Sequence, residues 1–257
     1  MSVMKLAARL RRHDWMAAVI ELVIVVVGIL VALQVSNWNQ DRLSRARGDN
    51  YYRRVHAELV ADRQSIDLAV KFWTTVSDYG RAAIAFGESG QRVDGSNWKT
   101  VLAYYQASQL MPFQLEDTTF MEMRDSGDLA LIDDERLRKR LADYYRLTGT
   151  GITANILHHD PAYRMQIRGL TPWPVQQYIW ANCFRQLGGT NQVLIDCPSP
   201  ISDQDAGALL ETYRRSESLL QNLRFWVSTL RVSAIVLDGA RKEAVSLAAD
   251  LEIARAR

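Results

Sequence analysis

Cysteine, histidine and proline are scarce in this chain of 257 residues, which holds two, four and six of them. Two cysteines without a C-x-x-C pair or a histidine group nearby leave no zinc-type ligand set. Four histidines leave little material for acid–base chemistry, and no G-x-S-x-G, P-loop, G-x-G-x-x-G or H-E-x-x-H pattern occurs. Neither an enzyme nor a bound cofactor or metal is therefore expected. A surplus of one charge is also missing, since 31 Lys and Arg face 29 Asp and Glu. Four of those basic and two of those acidic residues lie within residues 1 to 40, so the remainder carries 27 of each and is formally neutral. A nucleic-acid partner calls for a basic stripe. Here the run Arg136-Leu137-Arg138-Lys139-Arg140 is interleaved with Asp133, Asp134, Glu135 and Asp143, which reads as a solvated helix face. No nucleic acid is expected as a partner. Strand-like segments are rare too: Val93 and Val193-Leu194-Ile195 are the only candidates, enough for one small hairpin at most.

A long apolar run is what the chain does have. From Met16 to Val35 it is interrupted only by Glu21, Gln34 and a few small residues, and Trp15 and Trp38 bracket it. At a helical rise of about 1.5 Å, Met16 to Ser36 cover roughly 31 Å, which matches a hydrocarbon core of about 30 Å. We therefore expect a transmembrane helix over 15–36, after a basic tail over 1–14 with Lys5, Arg9, Arg11 and Arg12. A polar stalk over 37–50 and a helical domain over 51–257 follow. A cleavable signal peptide fits less well, because its apolar region is typically about 7 to 15 residues long and ends in a small-residue cleavage site. A twin-arginine signal fits poorly as well, since His13 and Asp14 follow Arg11-Arg12 where apolar residues belong. Arg42, Arg45 and Arg47 nearly balance the basic tail across the span. Long C-terminal domains translocate largely regardless of charge, so the expectation is a cytosolic N-terminus and an extracytoplasmic domain. Cysteine usage agrees. Cys183 and Cys197 lie fourteen apart with Gly188-Gly189 between them and Pro198 and Pro200 just after, a segment able to close a disulfide in an oxidising compartment. Such a loop contributes about 3 kcal/mol by the chain-entropy estimate; the alternative is two unrelated buried thiols.

The domain reads as helical throughout. From Tyr52 the apolar positions Val55, Leu59, Ile66, Ala69, Trp73, Val76 and Ala83 keep near-heptad spacing, broken mainly by Asp62 and Gly80, until the turn residues Gly87 to Gly90 and Asp94-Gly95-Ser96. A helix from Asn97 to about Leu110 follows, and Pro112 breaks the chain. A short helix near Thr118 to Asp125 stops at Gly127, and Asp133 or Asp134 caps a longer one with Leu137, Leu141, Tyr144 and Tyr145. Glycine and proline between 148 and 202 predict short helices and loops. Ser202 with Asp205 then forms a capping-box signal before a long amphipathic run to Leu251 at a period of about 3.5 residues. Fifty residues in one rod reach about 75 Å, so a kink is expected near Asp238-Gly239. Antiparallel packing of the long N- and C-terminal helices is the simplest arrangement. Similar Tyr-Arg groups at 51–53, 144–146 and 213–214 are unequally spaced and form no repeat.

Glu21 stands inside the span, where a charged residue costs about 2.5 to 3.5 kcal/mol at the bilayer centre. At about 100° per residue, Glu21, Gly28 and Ala32 share a face with Asp14, Ala17, Ala18, Val25, Val35 and Asn39, and Gly28-x-x-x-Ala32 is a small-xxx-small pair. A close helix–helix contact in the membrane through Glu21, Gly28 and Ala32 is the resulting expectation. The competing reading has Glu21 snorkelling or protonated near the interface without a specific role. His158-His159-Asp160 lacks further ligands at useful spacing. Trp173, Tyr178, Trp180 and Phe184 are candidate pocket aromatics beside the cysteine loop, with ordinary core packing the favoured reading.

The stretch Glu21-Leu22-Val23-Ile24-Val25-Val26-Val27-Gly28-Ile29-Leu30-Val31-Ala32-Leu33-Gln34-Val35-Ser36-Asn37-Trp38-Asn39 resembles the opening span of a bacterial family known only as a domain of unknown function. A second block, Thr118-Thr119-Phe120-Met121-Glu122-Met123-Arg124-Asp125-Ser126-Gly127 with Leu129, Leu131-Ile132, Leu137-Arg138 and Tyr144-Tyr145, is similar to that family's T-T-F-E-E-L-x-x-S-G-x-L-x-L-I motif and following helix. Met121 departs from an acid and Ser36 from an asparagine. The two blocks cover under a quarter of the chain, and residues 148 to 257 carry no part of the likeness. The resemblance implies a helical, membrane-anchored bacterial protein and transfers no catalytic residues. Together these readings give an all-α chain in the bacterial inner membrane with a periplasmic bundle. The expected function is a non-enzymatic interaction or scaffolding module, and its expected partners are the lipid bilayer and a second copy or another membrane protein. The alternatives are a ligand-sensing accessory subunit and an envelope hydrolase with dispersed catalytic residues.

Overall fold

Helices dominate the computed structural model, which describes residues 3–111, 115–152, 161–188 and 191–256. The chain forms two compact units, Met1–Tyr51 and Tyr52–Arg257. Helix α1 (Val3–Ser89) contributes to both.

In the first unit the large apolar side chains described between Trp15 and Trp38 are exposed. Ile24 is 65% exposed and Leu22 62%. An 18-residue window here has a mean hydropathy of 3.0 with none of it buried, and among the described residues this is the one helix long and apolar enough to cross a membrane. Residues 37–50, expected as a polar stalk, are helical. They lack proline, and neighbouring turns interact: Arg42 donates to Asn39 and lies 5.6 Å from the Trp38 ring, while Arg45 donates to the Asp41 carbonyl. Such contacts three and four residues apart favour helix.

In the second unit, Tyr52–Ser89 of α1 pairs antiparallel with the C-terminal helix α8 (Glu217–Arg255). Glu88 meets Arg224, Trp73 meets Trp226 edge-on, Asp67 meets Arg241 and His56 meets Glu252. Every apolar position singled out between Val55 and Ala83 is buried. Gly80 interrupts that series because the helices meet there: a Cβ would collide with the Val227 side chain. The break in the C-terminal segment falls at Ser216, between α7 (Asp203–Arg214) and α8, rather than at Asp238-Gly239. Asp238 pairs with Arg241 and Lys242 one turn on, which supports helix, and Gly239 is exposed with open space around it. Ser202 caps α7 by accepting from the Asp205 N–H.

Between the long helices lie α2 (Asn97–Gln106), α3 (Thr118–Ser126), α4 (Glu135–Tyr144), a π-helical segment (Tyr145–Ile152), α5 (Ala162–Leu170) and α6 (Trp173–Asn182). Helix α2 ends four residues before Leu110, and tight turns through Ser108 and Gln109 follow it. A two-stranded antiparallel hairpin, β1 (Phe184–Gly188) and β2 (Asn191–Leu194), pairs Phe184 with Leu194. It takes up Val193-Leu194, while Val93 sits in a 3₁₀ turn. Pro112, Gly189 and His158-His159-Asp160 lie outside the described residues.

Candidate functional site

Glu58 and Asp62 stand one turn apart on α1, facing inward where the residues before α3 and the α4 to π-helix junction close over it. Asp62 is fully buried. Its Oδ1 accepts the Glu116 N–H at 2.8 Å and its Oδ2 accepts the Tyr144 hydroxyl at 3.0 Å. Glu58 Oε1 accepts both the N–H of Thr119 at 2.8 Å and its hydroxyl at 2.5 Å. Asp117, at the N-cap of α3, makes no side-chain cap. A carboxylate from another helix therefore satisfies the first turn of α3, where the helix dipole also favours negative charge.

The Thr118–Gly127 block is thus more than a short helix with a stop. Gly127 does end α3 in the left-handed conformation at φ +80°, which glycine adopts without Cβ strain. Thr119 supplies both donors to Glu58, and Phe120 stacks on Tyr145 with ring centroids 4.6 Å apart. The change from α to π winding at Tyr145 places two consecutive tyrosines against α1. Tyr144 takes Asp62. Tyr145 is 6% exposed, and among the described residues its hydroxyl has no hydrogen-bond partner; neither has Glu58 Oε2. Buried polar atoms of this kind are rare, and each calls for a reason.

Burial sets the electrostatics. It pushes the Asp62 carboxyl up to about 6, opposed by the Glu116 and Tyr144 donors and reinforced by the charges of Glu58 and Glu116. Glu58 is raised for the same first reason, opposed by Thr119 and Arg54. Tyr144 and Tyr145 are raised by burial and by the neighbouring carboxylates.

Tyr144 also forms part of the wall of a cleft of about 360 Å³ between α4, the π-helical segment and α8. Leu147, Val236, Gly239 and Ala240 give it an apolar lining, with Arg140, Asp143 and Glu243 at the rim. Arg140 reaches Glu243, Ser246 and Asp250 and so ties α4 to α8.

The residues singled out in the sequence fall in separate places. Glu21, Gly28 and Ala32 share an exposed face of α1, and a Cβ on Gly28 would meet nothing within 4 Å. Cys183 and Cys197 are joined as a disulfide with Cα atoms 5.1 Å apart. Helix α2 holds both ends of it: Gln106 donates to the Cys183 carbonyl and the Trp98 indole to that of Cys197, each at 2.8 Å. The aromatics Trp173, Tyr178 and Trp180 make separate contacts. Trp173 is 65% exposed, Tyr178 lies edge-on to Trp98, and Trp180 lies against Phe184 with the Arg168 guanidinium 5.1 Å from its ring. Ordinary packing accounts for Tyr178 and Trp180. No group of three metal-ligating side chains occurs among the described residues. Glu58 and Asp62 were not identified from sequence as a site; the one trace was Asp62 interrupting an apolar series. Compared with family models, curated proteins and solved structures, the chain gives no match.

Proposed function

We propose that this chain is a non-enzymatic, single-span membrane protein whose helical unit lies outside the cytoplasm and acts as an interaction module, with the span helping to assemble it. The carrying observation is the unburied 18-residue window of mean hydropathy 3.0, because apolar area of that extent exposed to water is not sustained by a soluble protein. The Cys183–Cys197 disulfide supports an oxidising compartment on the domain side. The family resemblance of the span and of the Thr118–Gly127 block supports a bacterial inner membrane with a periplasmic domain. The Glu21, Gly28 and Ala32 face supports contact with another span, since small residues let helices approach and an ionisable group avoids lipid. On α8, Phe225, Val232 and Ile235 are 75%, 58% and 62% exposed, apolar surface of the kind that partner chains cover.

The partner is a second copy or another membrane protein. Native co-purification from membranes, with a photo-crosslinker at position 28, tests this reading. A crosslinked product of defined size is the expected outcome. A span that stays monomeric and captures nothing at native expression overturns it. The apolar cleft beside Tyr144 favours one second reading, a ligand-sensing accessory subunit, for which a small apolar metabolite should raise the melting temperature.

A further inference from the structure

Two features of the acid site are unexplained by packing alone: a carboxylate oxygen and a phenol hydroxyl, both buried and, among the described residues, both without a hydrogen-bond partner. They belong to Glu58 and Tyr145, which interact electrostatically, and Tyr145 is likewise coupled to Asp62. The groups facing the pair come from every element packed on it. Arg54 lies one turn back on α1, Glu116 and Asp117 precede α3, Thr119 lies in its first turn, Tyr144 ends α4 and Tyr145 opens the π-helical segment. Arg54 is the single cation among them, and it is shared with Glu122 at 2.5 Å.

We propose that Glu58 and Asp62 form a proton-operated latch: with one proton on the pair, the residues before α3 and the α4 to π-helix junction are held against α1, and with both carboxylates ionised that hold loosens. The proposal is independent of the anchoring reading above, because every group it uses lies within the second unit. The chemistry follows from the donor count. An ionised Glu58 leaves Oε2 as a bare buried acceptor, which is costly. A proton on Oε2 removes that buried charge, which also acts on the Tyr145 hydroxyl. On Asp62, ionisation places a second negative charge one turn away, close to Glu116. Two like charges in a buried site do not both ionise readily. Relief requires water, and water enters only if the segment carrying Glu116 and Thr119 lifts. Because Tyr144 joins Asp62 to the cleft against α8, the same step alters the cleft wall.

The Glu116 and Thr119 amides donate directly to the two carboxylates and report the latch. Hydrogen exchange of the full chain in detergent, corrected for the intrinsic pH dependence, should show their protection falling by about tenfold or more between pH 5 and pH 8, the size of a one-unit shift. Amides of α2 should not change. The double variant Glu58→Gln with Asp62→Asn should abolish the pH dependence. A flat wild-type profile, or a profile kept by a folded double variant, overturns the proposal. Should the variant fail to fold, the carboxyl carbon resonances of wild-type Glu58 and Asp62 decide: titration midpoints above the ordinary carboxylate range support the latch, and ordinary midpoints overturn it.

Discussion

The stretch from Trp15 to Val35 and the helical unit from Tyr52 onward use the same side chains under opposite rules. In the first, Leu, Ile and Val project on all sides and are exposed, with no polar face and no core. In the second, the α1 stripe from Val55 to Ala83 is buried to within a few per cent, while the exposed faces carry ion pairs and a few apolar residues such as Phe225 and Val232. A helix apolar all round needs an apolar solvent, and one with a single stripe needs a neighbour. The difference separates a helix that needs an apolar surrounding from one that internal packing stabilises.

Core truncation should break the comparison most strongly. Trp226 packs edge-on against Trp73 and donates to the Ala107 carbonyl, so Trp226→Ala should destabilise the helical unit by about 3–5 kcal/mol, read by thermal melting in detergent. Val27→Ala in the span should leave that transition unchanged. Next comes the disulfide: replacing both Cys183 and Cys197 by serine should lower stability by about 3 kcal/mol, with the same loss on reduction of the wild type. The acid pair follows. Asp62 is raised from 3.8 to about 6 on folding, so the folded state holds the extra proton between those values. Stability should be greatest at acid pH and fall by on the order of 2–3 kcal/mol as pH rises from about 4 through about 6. Asp62→Asn should flatten that slope in denaturant titrations at several pH values. The smallest effect belongs to the exposed ion pairs. Arg241→Ala loses contacts to Asp238 and Asp67 at the surface and should leave the melting temperature essentially unchanged.

Much of the fold was legible because period and caps act locally. Ser202 and Gly127 do what their residue types require, and the Val55 to Ala83 stripe is the core face of α1. The polar segment Asn37 to Asn50 is helical, as its Gln, Arg, Leu and Ala residues favour. The C-terminal break was misread by weighing composition against context. Asp238-Gly239 resembles a break, yet the Asp238 pairs with Arg241 and Lys242 sustain the helix, and the true break lies at Ser216, a cap residue. Most instructive are the two interruptions in the α1 stripe. Gly80 is where Val227 fits against the backbone, and Asp62 is the centre of the acid site. Its partners at 116 and 144 are brought together only by tertiary packing, which no local period encodes.

Protease digestion of intact spheroplasts, with tags at both ends of the full chain, tests the central claim most directly. A single span with an exported domain gives loss of the C-terminal tag while the N-terminal tag survives on a membrane-bound fragment. Retention of the C-terminal tag until the membrane is lysed, or recovery of the whole chain in the soluble fraction, contradicts it.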